Sequence, residues 1–124
     1  MKRIYNKLVR DKMIDIYEHD IAHKITATDY KVRYMGKEET LACLKDKLLE
    51  EAQEVFDAYH DSDVTHLKEE IADVIEVIDA ILYHNDLSLI EVLEIRDKKK
   101  EKKGGVECGV FLESIDYIDG KEPA

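Results

Sequence analysis

Two short acidic clusters carry the chemistry in this sequence. Glu50, Glu51 and Glu54 form a Glu-Glu-x-x-Glu group, and Glu70 and Asp73 form a Glu-x-x-Asp group further on. In a helix, a spacing of three sets two carboxylates on one face, about one turn apart. Glu51 follows Leu48 by three residues and precedes Val55 by four, so it lies within an apolar stripe. Asp73 stands between Ala72 and Val74, four before Val77, and is also pressed toward apolar neighbours. An isolated buried carboxylate costs more than the stability margin of a whole domain. Such groups must be neutralised, paired or bound to a metal. From Asp46 to Asp86 there are 13 acidic side chains, and only Lys47 and Lys68 oppose them. Two lysines are too few to pair five carboxylates. Two helices side by side, each offering two oxygens per turn, make a cage of hard anions. Mg2+ suits such a cage, because it prefers oxygen ligands and keeps waters that substrate phosphates can replace. Zinc would call for imidazole or thiolate, and no His or Cys falls at ligand spacing with these acids. His60, His66 and His84 are expected as solvated groups at helix ends. The plain alternative for the whole cluster is a solvated acidic face.

Basic groups flank this centre. The first twelve residues hold Lys2, Arg3, Lys7, Arg10 and Lys12 against Asp11 alone. The stretch 96–103 holds six Lys and Arg against Asp97 and Glu101. Lys7, Arg10 and Lys12 are candidate cations for a leaving phosphate group, with Asn6 beside them as a further substrate-binding candidate. Arg96, Lys99 and Lys103 recur at three and four residues along one helix face and are a second such set. The plain explanation for this second set is a solvated helix terminus, where cations favour the macrodipole.

These groups must be positioned by helices. Residues 7–22 place Leu8, Met13, Ile16, Tyr17 and Ile21 at helical spacing. Residues 24–35 are rich in β-branched and aromatic side chains and predict one short strand or small hairpin. Gly36 separates this from a strong helix at about 37–60, with a stripe of Leu41, Leu44, Leu48, Ala52, Val55, Phe56 and Tyr59. The polar break HDSDVT leads into a second strong helix at about 64–84, apolar around most of its circumference. Such a helix is central in a bundle or buried at a subunit contact. Ser88-Leu-Ile-Glu91 is a capping-box pattern that opens a further helix, and Gly104-Gly105 stops it. The tail VECGVFLESIDYI alternates loosely and predicts a short strand. Tyr5, Tyr30, Tyr34 and Phe56 have the rings to stack on a base, but core or rim packing is their ordinary role.

At 124 residues, 44% hydrophobic, the chain fits one domain with a real core. Its net charge of −10 argues against a nucleic-acid polymer as partner, which would need a basic footprint. No apolar run approaches the ~20 residues of a membrane helix. The first residues lack the apolar run of a secretory signal. Two cysteines, Cys43 and Cys108, make no disulfide framework, so a reducing cytoplasm is expected.

Glu50-Glu51-Ala52-Gln53-Glu54 followed by Glu70-Ile71-Ala72-Asp73 resembles the EExxE…ExxD signature of the all-α nucleoside triphosphate pyrophosphohydrolases. This superfamily includes MazG-like and phosphoribosyl-ATP pyrophosphohydrolase-like enzymes. YNKLVRDKM, from Tyr5 to Met13, resembles the opening of one branch, and Ile95-Arg96…Lys99…Lys103-Gly104-Gly105 resembles its close. The chain departs from that branch at Val106, where an aromatic is common, and at Met13, where Ile-Pro is common. The resemblance implies an all-α helical bundle, here expected over 1–124 as a single domain with short accessory strands. It implies Mg2+-dependent cleavage of an NTP or dNTP between the α and β phosphates, with Mn2+ as an alternative ion. The ligands it implies are Glu51, Glu54, Glu70 and Asp73, with Glu50 orienting water. It also implies a homo-oligomer, dimer or tetramer, and a house-cleaning role suits a stand-alone chain. The competing expectation is a non-catalytic helical oligomerisation or regulatory module whose acidic face binds Mg-nucleotide.

Overall fold

The computed structural model describes residues 1–60, 63–121 and 123. The regular elements among them are all helical: α1 (Met13–Ala22), α2 (Lys37–Ala58), α3 (Val64–His84) and α4 (Leu89–Lys103). The chain divides into two compact units, Met1–Leu89 and Ile90–Ala124.

The first unit is organised by α2 and α3, which pack along each other. Gly36 caps α2 in extended conformation, and its carbonyl accepts from both Thr40 N (3.0 Å) and Thr40 Oγ1 (2.8 Å). Asp63 caps α3 by accepting from Thr65 N at 2.9 Å and His66 N at 3.4 Å, satisfying donors that the first turn leaves open. Asp61 and Ser62 of the expected polar break lie outside the described residues. Only five residues, 59–63, separate the helices, so α3 returns along α2 as a helical hairpin.

The buried residues of α2 are Leu44, Glu51 and Ala58, at intervals of seven. A seven-residue repeat keeps one seam of a helix facing its neighbour over several turns. Glu51 therefore occupies a core position between two apolar ones. On α3, Glu70 stands seven residues before buried Val77, with Leu82 buried beyond it. Phe56 and Tyr59, expected in the α2 stripe, are exposed.

The helix expected over 7–22 begins only at Met13. The chain before it turns, with Met13 N bonded to Arg10 O at 3.0 Å and Asn6 at φ 46°. The Arg10 side chain is held by α3 instead of lying along α1. The strands expected at 24–35 and in the tail are absent among the described residues. For the first, Asp20 is the reason. Its carboxylate accepts from Thr26 N (3.0 Å), Thr26 Oγ1 (2.7 Å) and Ala27 N (2.6 Å). Those backbone donors would otherwise be offered to a ladder. For the tail, the residues are exposed and make no ladder that would fix them as a strand, and β-propensity without a pairing partner does not suffice.

In the second unit α4 ends at Lys103, and Gly104 follows at φ +84°, a backbone conformation that glycine adopts without strain. Its N–H donates to Lys100 O at 2.8 Å. Lys100, Lys102 and Lys103 fill the last turn, where cations are favourable. Among the described residues, no helix is long and apolar enough to cross a membrane.

Candidate metal centre

The hairpin brings Glu51, Glu54, Glu70 and Asp73 together. Each offers one carboxylate oxygen, and these oxygens all lie within 4.8 Å of one another. The cluster follows from the helix geometry. Glu51 and Glu54 share one face of α2, Glu70 and Asp73 share one face of α3, and the packed seam sets the two faces together.

Glu51 is the deepest, at 6% exposure. Its Oε1 is held by Lys47 Nζ at 3.2 Å, while its Oε2 is buried with no hydrogen-bond partner. Glu70 repeats the pattern on the other helix. Its Oε1 lies 3.1 Å from His66 Nε2, and its Oε2 is buried without a partner. Asp73 is partly open, and its Oδ1 accepts from Arg10 Nη2 at 2.5 Å.

The electrostatics express crowding. Burial raises the Glu51 carboxyl above the usual carboxylate range, and the neighbouring Glu54 carboxyl adds to this, while Lys47 pulls the other way. The Glu54 carboxyl is raised first by the neighbouring Glu70 carboxyl and then by burial. Carboxyl groups this close oppose one another's negative charge, so the cluster favours a proton or a cation among them. Burial works against the Lys47 ammonium, yet its bond to Glu51 and the fields of Glu50 and Glu51 hold it above its ordinary value. Arg10 is raised by its bond to Asp73.

These residues fit a divalent ion. Buried polar atoms are almost always hydrogen-bonded, so two partnerless carboxylate oxygens in one cluster require an explanation. An all-oxygen donor set of four carboxylates suits a hard cation of the Mg2+, Mn2+ or Ca2+ type and not a soft one.

The model of the MazG nucleotide pyrophosphohydrolase domain matches residues 39–103, about half of the chain. The chain belongs to this family. No curated protein and no solved structure matches it. The MazG match takes in α3, α4 and nearly all of α2, and so all four clustered carboxylates. Arg10 lies outside it, and its place at the cluster comes from the structure alone.

The remaining candidates of this MazG protein are distributed as follows. Glu50 lies outside the group of four and is held at the rim by Lys47 Nζ at 3.6 Å. Asn6, Lys7 and Lys12 are exposed on the segment that carries Arg10, with Lys7 Nζ 5.7 Å from the centre of the Tyr5 ring. Arg96, Lys99 and Lys103 lie on α4 in the second unit, where Arg96 bonds to Asp97 at 3.1 Å. Tyr30 packs against Tyr17 and donates to Glu18, so its ring is engaged within the fold.

Two expectations need correction. His66 is not a merely solvated histidine at a helix end, because it contacts Glu70. Its spacing of four before Glu70 was the available signal. The shortage of counter-charges is also smaller than Lys47 and Lys68 suggest, since Arg10 arrives from 63 residues away. No local spacing announces that pairing.

Proposed function

We propose that this protein is a Mg2+-dependent nucleoside triphosphate pyrophosphohydrolase. It would split an NTP or dNTP between the α and β phosphates into a monophosphate and pyrophosphate, in a house-cleaning role in the cytoplasm. The observation that carries this reading is the pair of buried, partnerless oxygens, Glu51 Oε2 and Glu70 Oε2, within a four-carboxylate cluster. Family membership supplies the reaction class.

Glu51, Glu54, Glu70 and Asp73 would hold the ion. Bound there, Mg2+ supplies positive charge that polarises phosphate oxygens and lowers the pKa of a bound water. The chain's own groups do the rest. Water oxygen bonds to the α-phosphorus, the bond from the α-phosphorus to the bridging oxygen breaks, and pyrophosphate leaves with the electron pair. Glu50, at the rim beside Lys47, would take the water proton. Arg10 neutralises Asp73 and is the positive group nearest the cluster for the leaving pyrophosphate. Asn6, Lys7 and Lys12 extend that basic segment. For Arg96, Lys99 and Lys103, the assignment to phosphate rests on residue type and spacing along α4.

The deciding experiment is pyrophosphate release from a panel of NTPs and dNTPs with Mg2+ or Mn2+. Release from at least one nucleotide, absent without metal, is expected. No release from any favours a non-catalytic module. Arg10→Gln separates two roles. Its turnover should fall by about 100-fold, as for loss of one charge-stabilising donor. Its Mg2+ affinity by calorimetry should be unchanged or higher, since Asp73 loses a competing cation. Weaker Mg2+ binding would assign Arg10 to building the site instead.

The protein is also proposed to be a homo-oligomer, dimer or tetramer. Ile71, Ile75 and Ile78 recur at helical spacing on α3 and are all exposed, as are Leu49 and Phe56 on α2. A shallow apolar groove of about 240 Å³, lined by Ala52, Val55, Ile71 and Val74, adjoins them. Contiguous apolar surface of this kind marks an interaction face. Sedimentation of the wild type should give a multiple of the chain mass, and Ile75→Glu should reduce it. A single-chain mass for the wild type overturns the assembly.

A further inference from the structure

We infer that Lys47 and His66 are positioning residues that confine Glu51 and Glu70 to one ligating oxygen each, and thereby favour a Mg2+-sized ion over Ca2+. The inference rests on the metal-centre reading above and adds to it a source of ion selectivity.

The same device occurs twice, once on each helix of the hairpin. Lys47 stands four residues before Glu51 on α2, and His66 stands four before Glu70 on α3. Each reaches one turn along its own helix and holds Oε1 of the deep carboxylate, at 3.2 Å and 3.1 Å. In each case Oε2 is the oxygen left buried and without a partner. A carboxylate only accepts, so His66 Nε2 carries the hydrogen in this bond. The Lys47 side chain is 19% exposed, so its ammonium is no loosely solvated surface charge. Arg10 also holds one oxygen of Asp73, but it comes from a distant segment and can leave without disturbing either helix. Lys47 and His66 are fixed by helical geometry.

One-oxygen presentation has a chemical consequence. Ca2+ takes about six to eight oxygens at about 2.3–2.6 Å and commonly accepts a carboxylate through both oxygens. Mg2+ demands a near-octahedral shell at about 2.0–2.1 Å, which a two-oxygen carboxylate strains. A clamp on Oε1 removes the second oxygen from Glu51 and from Glu70. The site then offers about four protein oxygens, which leaves Mg2+ about two positions for water or phosphate oxygens and leaves Ca2+ up to about four. Partners of metal ligands commonly act in this way, by fixing ligand orientation.

The test is calorimetric titration of the full chain with Mg2+ and with Ca2+, at about pH 8, where free imidazole is neutral. The variants are His66→Ala, His66→Gln and Lys47→Met, each checked for helicity. The Gln amide can still donate to Glu70, and the Met side chain keeps the apolar stem of the lysine. His66→Ala should lower the ratio of Mg2+ to Ca2+ affinity by about tenfold, at the lower end of known effects for such partners. His66→Gln should restore most of it, and Lys47→Met should shift the ratio in the same direction as His66→Ala. If Lys47→Met does not fold, the two His66 variants decide alone, because His66 is half-exposed. An unchanged ratio in His66→Ala overturns the inference while leaving the metal centre standing. A wild type that binds neither ion overturns the metal centre itself.

Discussion

Glu51→Gln is expected to lower pyrophosphate release by about 1,000-fold while making the metal-free protein more stable. The two effects have one origin. Glu51 is the most deeply buried member of the cluster, and burial together with the neighbouring Glu54 carboxyl raises its carboxyl above the usual range. A fold that keeps a carboxylate there opposes its charge. The amide removes that charge, and Lys47 keeps Glu50 as a partner at 3.6 Å. Relief of about 1 kcal/mol would raise Tm by about 4 °C in a chain of this size. The same change deletes an anionic ligand from the centre. Loss of one preorganised charge-stabilising group costs about 100- to 1,000-fold in turnover, and a deep ligand belongs at the upper end. Asp73→Asn should likewise lose turnover. It should not gain stability, because it weakens the bond to Arg10. Pyrophosphate assays and thermal melts without metal read both quantities. Undiminished release in both variants would remove these residues from the ligand set.

The trade between stability and activity explains why the sequence was informative about this site. A carboxylate in an apolar stripe breaks the binary pattern of a helix, and such breaks mark function because they oppose folding. Glu51, flanked at intervals of seven by Leu44 and Ala58, is such a break. Limits of α2, α3 and α4 were legible for related reasons. Gly36, Asp63 and Gly104 act within a turn of themselves, so their effect does not depend on the rest of the fold. What the sequence hid was set by tertiary contact. The segment before α1 has helical spacing, yet Arg10 is drawn out of that helix by Asp73. The 24–35 stretch has the residues of a strand, but the Asp20 carboxylate takes the backbone donors of Thr26 and Ala27. His66 lay at a readable spacing. A histidine near a helix end has a common solvated role, whereas here it meets Glu70.

The second large effect concerns pH and metal together. Without metal, stability should rise as pH falls from neutrality toward the ordinary carboxyl range, and Mg2+ should reverse that slope. The folded chain holds the Glu51 and Glu54 carboxyls above 4.5, the value expected for them when unfolded. Between the unfolded and folded values, the native state keeps protons that the unfolded state has released. Stability therefore falls as pH rises through this window, and it is regained as pH drops through the raised folded values. Below about 4.5 both states are protonated and the gain ends. Asp20 and Glu39 are pulled below their ordinary values, first by hydrogen bonds from Thr26 and Arg33 respectively. Their contributions are lost at more acidic pH, beneath the window. Mg2+ acts in the opposite sense, because its ligands must be deprotonated and binding releases the protons that the cluster held. At about 100 times its Kd, a bound ion adds about 2.7 kcal/mol of stability. That increment should be full near neutral pH and shrink toward pH 5. Thermal melts across this range, with Mg2+ and with a chelator, give the two slopes directly. Glu51→Gln should flatten both, because it removes one of the titrating ligands, whereas a slope set elsewhere would persist. A metal-free Tm that shows no rise between about pH 7 and about pH 4.5 would mean that the cluster is not held against its charge. An Mg2+ increment independent of pH would mean that the ion does not bind through these carboxyls.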